Sequence, residues 1–413
     1  MDLIIILIIV LAWVCIGNVI LFVFRWHRNH TKPEIDRIKF IGCVAVIEAV
    51  KGADKNFHDH VISLINQSHD CFKVIFCLSD INDPAFQSLV DIFQPGTEIP
   101  YNDGYNISKK DLEKLKLGSP GLQSVDIVIA GTAKTCSQKI FNQICAYGLL
   151  APEDRIIAWV DADISLGATW LDNLINPLYG KTSAASTGYR CLVPSCHDWS
   201  SAIVSVINAS ILTLSGDPWR NSFWGGSMAM TRQVFDKFNI PQYVKKCFSD
   251  DESVAALLKK NKIPIYFSFA VLPMGKIKYT FRAMFNFGQR QYICARFYYK
   301  FHIFIAGILL SGFTLVFFVL AAKLFFQPTG FNILIFTLLI SAMVIRGMIR
   351  FGFIRYMLKM PGYNLKCLFL ETLGTPLIHF VHLGICISAL MKHEIEWAGI
   401  TYKIKGPFNV KIV

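Results

Sequence analysis

Apolar positions along the chain come in two textures. Long uninterrupted runs stand at the start and in the last third, and short runs alternate with amphipathic stretches between them. Leu3 to Phe24 is apolar for about 22 residues, the length of a membrane-crossing helix. Phe301 to Phe326 and Phe331 to Ile349 repeat the pattern, joined by Gln-Pro-Thr-Gly. Leu368 to Met391 is a further span, interrupted by Glu371, Pro376, His379 and His382.

The middle of the chain predicts alternating strands and helices. Phe40 to Glu48 reads as a buried strand, and Asn56 to Ser68 as a helix with Phe57, Val61, Leu64 and Ile65 on one face. Phe72 to Leu78 is a second strand, and Pro84 suits the first turn of the next helix. Strand, helix and strand at this spacing imply parallel pairing. Gln94 to Gln123, rich in Pro, Gly and Lys, reads as an excursion or a mobile loop. Ile127 to Ala130 is a short strand, and Gln138 to Leu150 a helix carrying Lys139 and Asn142. Ile156 to Val160 then runs straight into Asp161 and Asp163. Phe223 to Met230 reads as a glycine-hinged turn leading into a strand, and Ser249 to Glu252 opens an amphipathic helix, Ser253 to Lys260. Phe281 to Tyr299, dense in aromatic and basic residues, fits an interfacial helix.

Composition supports a membrane protein with one substantial water-facing domain. Of 413 residues, 53% are hydrophobic, and the mean hydropathy is +0.43. The net charge of +12 sits mostly beside apolar segments, which fits anionic lipid head groups and not a nucleic acid. Arg25, His27, Arg28, Lys32, Arg37 and Lys39 follow the first span, so the domain after it is expected in the cytoplasm. Arg346, Arg350, Arg355 and Lys359 place the end of the third span there too. Four full crossings would leave the basic tail, with Lys392, Lys403, Lys405 and Lys411, outside; a late segment that is re-entrant or interfacial would restore the parity. The 12 Cys form no Cys-x-x-Cys pair, so thiols in a reducing compartment are expected.

Acids recur where strands end. Positions two apart at a strand end point the same way, so Asp161 and Asp163 suit one hard divalent cation. A lone Asp-x-Asp arises by chance, so its neighbours carry the argument. Asp80 or Asp83 suits a base or ribose, although Asp83 before Pro84 equally suits a helix cap. In Asp250-Asp251-Glu252, acidic neighbours would raise the pKa of a base. Arg282, Arg290 and Arg296 either face lipid or turn inward to a diphosphate.

Several ordered motifs together resemble the membrane-anchored, inverting family-2 glycosyltransferases, especially the ceramide glucosyltransferase-like branch. They are Val50-Lys-Gly-Ala-Asp54, Ser79-Asp-Ile-Asn-Asp-Pro-Ala85, Gln138-Lys-Ile-Phe-Asn142, Asp161-Ala-Asp163, Asp250-Asp251 and Ile395-Glu-Trp-Ala-Gly-Ile-Thr-Tyr402. The resemblance implies an α/β, Rossmann-like GT-A catalytic domain with a mostly parallel sheet, flanked by N-terminal and C-terminal transmembrane helices. The expected divisions are an anchor with its basic flank (1–39), a catalytic domain (40–275), an amphipathic segment (276–300), a transmembrane region (301–391) and a basic tail (392–413). It further implies a UDP-sugar donor, Mn²⁺ or Mg²⁺ at Asp161 and Asp163, a lipid acceptor, and Asp251 as base beside Asp250. Lys51, Asp80, Asp83, Lys139 and Asp161 are the expected donor contacts. The family's Gln/Arg-x-x-Arg-Trp motif is not present as such; Arg290, Gln291 and Arg296 are the candidates for its role. A processive polysaccharide synthase and a catalytically silent nucleotide-binding scaffold are the alternative readings.

Overall fold

A computed structural model describes residues 2–31, 42–93 and 104–413. Lys32, Arg37 and Lys39, the first residues of the strand expected from Phe40, and the start of the expected Gln94 loop lie outside the described residues.

In chain order the elements are α1 (Asp2–Thr31), β1 (Cys43–Ala49), α2 (Phe57–Ile65), β2 (Phe72–Leu78), α3 (Pro84–Phe93), β3 (Tyr105–Ser108), α4 (Lys109–Leu115), β4 (Leu122–Ile129), α5 (Gln138–Tyr147) and β5 (Asp154–Val160). Then come α6 (Trp170–Ile175), β6 (Ala185–Thr187), β7 (Cys191–Pro194), α7 (Trp199–Leu212), β8 (Ser227–Thr231), α8 (Arg232–Lys237), α9 (Ile240–Val244), α10 (Asp250–Lys260), β9 (Ile265–Phe267) and β10 (Met274–Ile277). The rest is α11 (Phe281–Tyr298), α12 (Lys300–Phe326), α13 (Gly330–Gly352), α14 (Leu365–Glu371), α15 (Thr375–Met391), β11 (Glu394–Trp397), β12 (Ile400–Gly406) and β13 (Asn409–Ile412).

The chain divides into two compact units. One comprises residues 32–190, 216–273 and 393–413, and the other 1–31, 191–215 and 274–392.

The first unit is a mixed α/β layer structure around an eight-stranded sheet of order β3-β4-β2-β1-β5-β8-β6-β9. Its centre, β4-β2-β1-β5, is parallel, so the carboxyl ends of β1, β2 and β5 lie along one edge. β1 and β5 are nearly all apolar because each is covered on both faces. Val44 and Val46 join Val61 and Leu64 of α2 in one core. The stretch after residue 103 is not a mobile loop: β3 pairs antiparallel with β4 and leads into α4, capped by the Ser108 hydroxyl. Pattern reading misses this because β3 is only four residues long. The pairing of β1 with β2 also sets Cys43 beside Cys71, Cα atoms 4.7 Å apart, and the two form a disulfide. That corrects the expectation of thiols throughout; the ten other cysteines are not disulfide-bonded. The tail, His393 onward, is a three-stranded antiparallel sheet, β11-β12-β13.

The second unit is helical. Among the described residues, three helices are long and apolar enough to cross a membrane: Ile5–Asn29, Ile303–Phe326 and Gly330–Met357. Ile5, Ile8 and Ile9 of the first pack with Phe313, Val316 and Leu320 of the second and Leu339 of the third. The fourth apolar stretch is broken, with α14 and α15 meeting at 82°. Pro376, near the start of α15, lacks the N–H that would continue a helix. Glu371, wholly buried at the break, accepts from Arg350 Nε at 2.7 Å and from the Tyr363 hydroxyl at 2.6 Å. At Gly347 a methyl group would fall on the Glu371 carbonyl, so α13 and α14 touch backbone to backbone. An Arg350 left unpaired in this setting costs about 3–5 kcal/mol. Glu371→Gln is therefore expected to lower the melting temperature of the detergent-solubilised protein clearly; an unchanged melting temperature would mean the pair contributes little.

Candidate active site

The first unit gathers three of the candidate acids around the ammonium group of a fourth candidate, Lys139. Lys139 sits in the first turn of α5, whose N-terminus is capped by the Ser137 side chain accepting from Ile140 N. Its Nζ lies 2.9 Å from Asp161 Oδ1, just past β5, and 3.2 Å from Asp250 Oδ2, at the start of α10. Burial disfavours the charge on Lys139, but the attraction of Asp161 and Asp250 outweighs it and raises its pKa. For Asp161 burial works the other way, and the ammonium still holds its carboxyl below the ordinary Asp value.

Ser249 caps α10 by accepting from Glu252 N, so Asp250, Asp251 and Glu252 occupy its first turn, where carboxylates complement the helix dipole. Asp250 is buried and also accepts from Gln143 Nε2 at 2.7 Å. Asp251 accepts from Gly225 N at 3.0 Å through Oδ2, and from Glu252 N and the Ser249 hydroxyl through Oδ1. Burial, and then the charge of Asp250, raise the pKa of Asp251. Burial and Asp251 push Glu252 well up. The glycine-hinged turn expected from Phe223 does lead into a strand, β8, and it meets the acids. A Cβ at residue 225 would lie 3.1 Å from both Asp251 Oδ2 and Lys139 Nζ.

Asp163 projects further out, its side chain 61% exposed, and takes Arg190 on Oδ2 at 2.7 Å and on its carbonyl at 3.0 Å. Lys139 and Arg190 thus engage Oδ1 of Asp161 and Oδ2 of Asp163, leaving one oxygen of each for a cation. Among the described residues no group of three His, Cys, Asp or Glu side chains forms a metal site. Two carboxylates suit Mg²⁺ or Mn²⁺ when phosphate and water complete the shell. The donor set fits such an ion.

The other candidates have partners of their own. Asp83 accepts from Gly52 N at 2.8 Å and from Ala85 N at 2.9 Å, so it ties the turn after β1 to the first turn of α3. Asp80 is exposed and accepts from Asn82 N at 2.8 Å. Lys51 donates to the Ala398 carbonyl in the β11–β12 turn. Arg290, Gln291 and Arg296 belong to the helical unit. There Arg296 donates to the carbonyls of Ala389, Leu390 and Lys392, capping the end of α15. Arg290 lies over the Phe287 ring at 5.7 Å, and Gln291 is exposed.

Sequence reasoning missed Arg190 and a buried pair behind the Asp161–Asp163 turn. His60 lies 2.7 Å from Glu48 through Nε2 and 2.7 Å from the Ile164 carbonyl through Nδ1. His60 at helical spacing from Phe57 and Val61 was a hint, since it puts an imidazole on the apolar face of α2. Burial lowers the pKa of His60, but the charge and hydrogen bond of Glu48 raise it more, to about 9.

No protein-family model matches the chain, and neither does any curated protein sequence. Among solved structures the chain is similar to mannosyltransferase PcManGT from Pyrobaculum calidifontis in complex with GDP-Man and Mn²⁺. That likeness is 13% identical, covers 94% of this chain and 98% of that one, and has a TM-score of 0.47. It is also similar to GalNAc-T7 with UDP, GalNAc and Mn²⁺, 10% identical over 60% of this chain and 48% of that one, at a TM-score of 0.37. Likenesses this distant leave the functional reading to the site's own residues.

The His60–Glu48 pair makes a prediction about pH. A histidine whose pKa rises from 6.5 to about 9 on folding stabilises the fold fully below its unfolded value. That stability is lost as pH climbs through the folded value. The melting temperature is expected to fall between pH 6.5 and about 9, and Glu48→Gln should flatten the fall. Parallel curves for the two proteins would show that His60 is not held as the cation.

Proposed function

We propose that this chain is a membrane-bound inverting glycosyltransferase of the GT-A kind, moving a sugar from a UDP-sugar to a lipid acceptor. The observation that carries the reading is the gathering of Asp161, Asp250 and Asp251 around Lys139 at the carboxyl end of a parallel sheet. Ligands of open α/β sheets sit at that edge.

In this reading the donor's uridine lies near Asp80, and the turn holding Lys51 and Asp83 borders the nucleotide. Asp161 and Asp163 would hold Mg²⁺ or Mn²⁺, and the ion would supply Lewis-acid stabilisation of the diphosphate. Asp251 takes the proton from the acceptor hydroxyl. The acceptor oxygen attacks the anomeric carbon from the side opposite the diphosphate, the C–O bond to UDP breaks with its electrons, and the configuration inverts. Burial among acids suits Asp251 to this role, because a base is most effective with a pKa near the working pH. Gly225 N–H and the Ser249 hydroxyl hold its carboxylate in place. Lys139 keeps Asp250 and Asp161 paired, so that one acid of the cluster is left to accept a proton. Arg290, Gln291 and Arg296 remain the candidates for contact with the departing diphosphate, by resemblance of their segment to the family motif.

The apolar helices and the basic residues after the first of them support a chain that spans the membrane with the α/β unit facing the cytoplasm. An acceptor with a lipid tail fits an enzyme anchored in this way.

The test is UDP release by the purified protein in detergent with Mn²⁺ or Mg²⁺. UDP-glucose, UDP-galactose and UDP-N-acetylglucosamine are each offered with mixed membrane lipids. Metal- and lipid-dependent release from one donor is expected, and absence of both release and UDP binding would overturn the reading. Asp251→Asn should cut turnover by roughly a thousandfold, within the range of base catalysis, while UDP affinity stays nearly intact. Normal turnover in that variant would remove Asp251 from the role of base.

A further inference from the structure

The tail sheet makes contacts that a mere membrane-proximal tail would not need. Tyr402, on the central strand β12, is 1% exposed. Its hydroxyl accepts from the backbone N–H of Gln138 at 3.2 Å. Gln138 is the first residue of α5, and its N–H is one of those a helix cannot satisfy internally. The next residue is Lys139. The face of the same ring meets Phe248 edge-on, centroids 5.1 Å apart. Phe248 stands immediately before Ser249, Asp250 and Asp251, and Trp397 of β11 meets it from the other strand at 5.8 Å. A single side chain therefore touches both segments whose next residues form the Lys139–Asp250 ion pair.

Two hydrogen bonds already run between these segments, from the Ser137 backbone N–H to the Cys247 carbonyl at 3.1 Å and from the Thr135 side-chain hydroxyl to the Lys245 carbonyl at 3.0 Å. Both act upstream of the catalytic candidates. Tyr402 is the contact that reaches Gln138 and Phe248, one and three residues from Lys139 and Asp251.

We propose that Tyr402 is a positioning residue: it fixes the N-terminal turn of α5 against the approach to α10, and so sets the spacing of Lys139 and Asp251. The inference rests on the function proposed above, because it assigns Tyr402 a consequence for sugar transfer. An ordinary core tyrosine would contribute burial alone. A positioning tyrosine must also alter turnover when only its hydroxyl is removed.

Tyr402→Phe retains the ring on Phe248 and deletes the acceptor for Gln138 N–H. Ile404→Val is the companion. It trims a buried residue of the same strand and leaves the Tyr402 hydroxyl in place. Three quantities are measured for each full-length protein in detergent: kcat and KM for UDP-sugar, UDP affinity, and the hydrogen-exchange rate of amides 137–140. Tyr402→Phe is expected to lower kcat about tenfold, inside the hundredfold that a misplacement of about 1 Å costs. KM and UDP affinity should stay within about twofold, and the Gln138 amide should exchange at least tenfold faster. Ile404→Val should lower the melting temperature and leave kcat unchanged. An active wild type with Tyr402→Phe at full kcat would overturn the inference and leave the proposed function standing. Equal loss of kcat in Ile404→Val would reduce Tyr402 to a structural role. A wild type with neither UDP release nor UDP binding would overturn the function, and with it the catalytic half of this inference; unchanged exchange at Gln138 would overturn the other half.

Discussion

A lysine ammonium cannot be buried without carboxylates to face it, and that requirement organises the candidate site. Lys139 is held between Asp161 and Asp250, which come from the end of β5 and the start of α10. The charge forces three chain segments to converge, and each is already braced locally. Ser137 caps α5, Ser249 caps α10, and β5 is clamped between β1 and β8. Asp161 gains from the arrangement and is kept ionised. Asp251, near the same cation, is pushed towards protonation by burial and then by the charge of Asp250, whereas the Lys139 charge outweighs burial at Asp161. Two aspartates in one cluster thus end with opposite tendencies, set by which neighbour dominates.

The helical unit solves a similar problem in a drier place. Arg350 and Glu371 pair where α14 gives way to α15, and Tyr363 completes the shell of the carboxylate. A helix interrupted among apolar neighbours exposes backbone carbonyls that need partners. Arg346 meets this need at the break, donating to the Glu371 carbonyl at 3.3 Å and the Thr375 hydroxyl at 2.9 Å. Glu371 and Pro376, two of the residues that interrupt the last apolar run, thus stand at the bend itself.

Much of this was legible from residue order, and the parts that were not share a cause. The strand that runs into Asp161 and the one that carries Glu48 announce themselves because both of their faces are covered, which enforces continuous apolar runs. Pro84 marks the start of α3 for a stereochemical reason. β3 escaped because four residues carry too little pattern, and its pairing with β4 is decided by the sheet edge. Cys43 and Cys71 escaped because a disulfide depends on strand register. Arg190 and the His60–Glu48 pair escaped for a related reason: their partners lie 27 and 12 residues away in sequence, and only the fold brings them together. In the candidate site, residue types suggested the chemistry, while the bonds that Asp83 takes from Gly52 N and Ala85 N depend on the turn after β1 coming to meet α3.

Gly225 gives the site a boundary of an unusual kind. Its amide serves the Asp251 carboxylate, and the space where its side chain would begin is already taken by that carboxylate and by the Lys139 ammonium. A Cβ added there would stand 3.1 Å from both the Asp251 carboxylate and the Lys139 ammonium, close enough that one of them would have to shift by a few tenths of an ångström. The charges thus lean on two kinds of residue, those that bear them and one whose missing side chain leaves the acid and the cation their room.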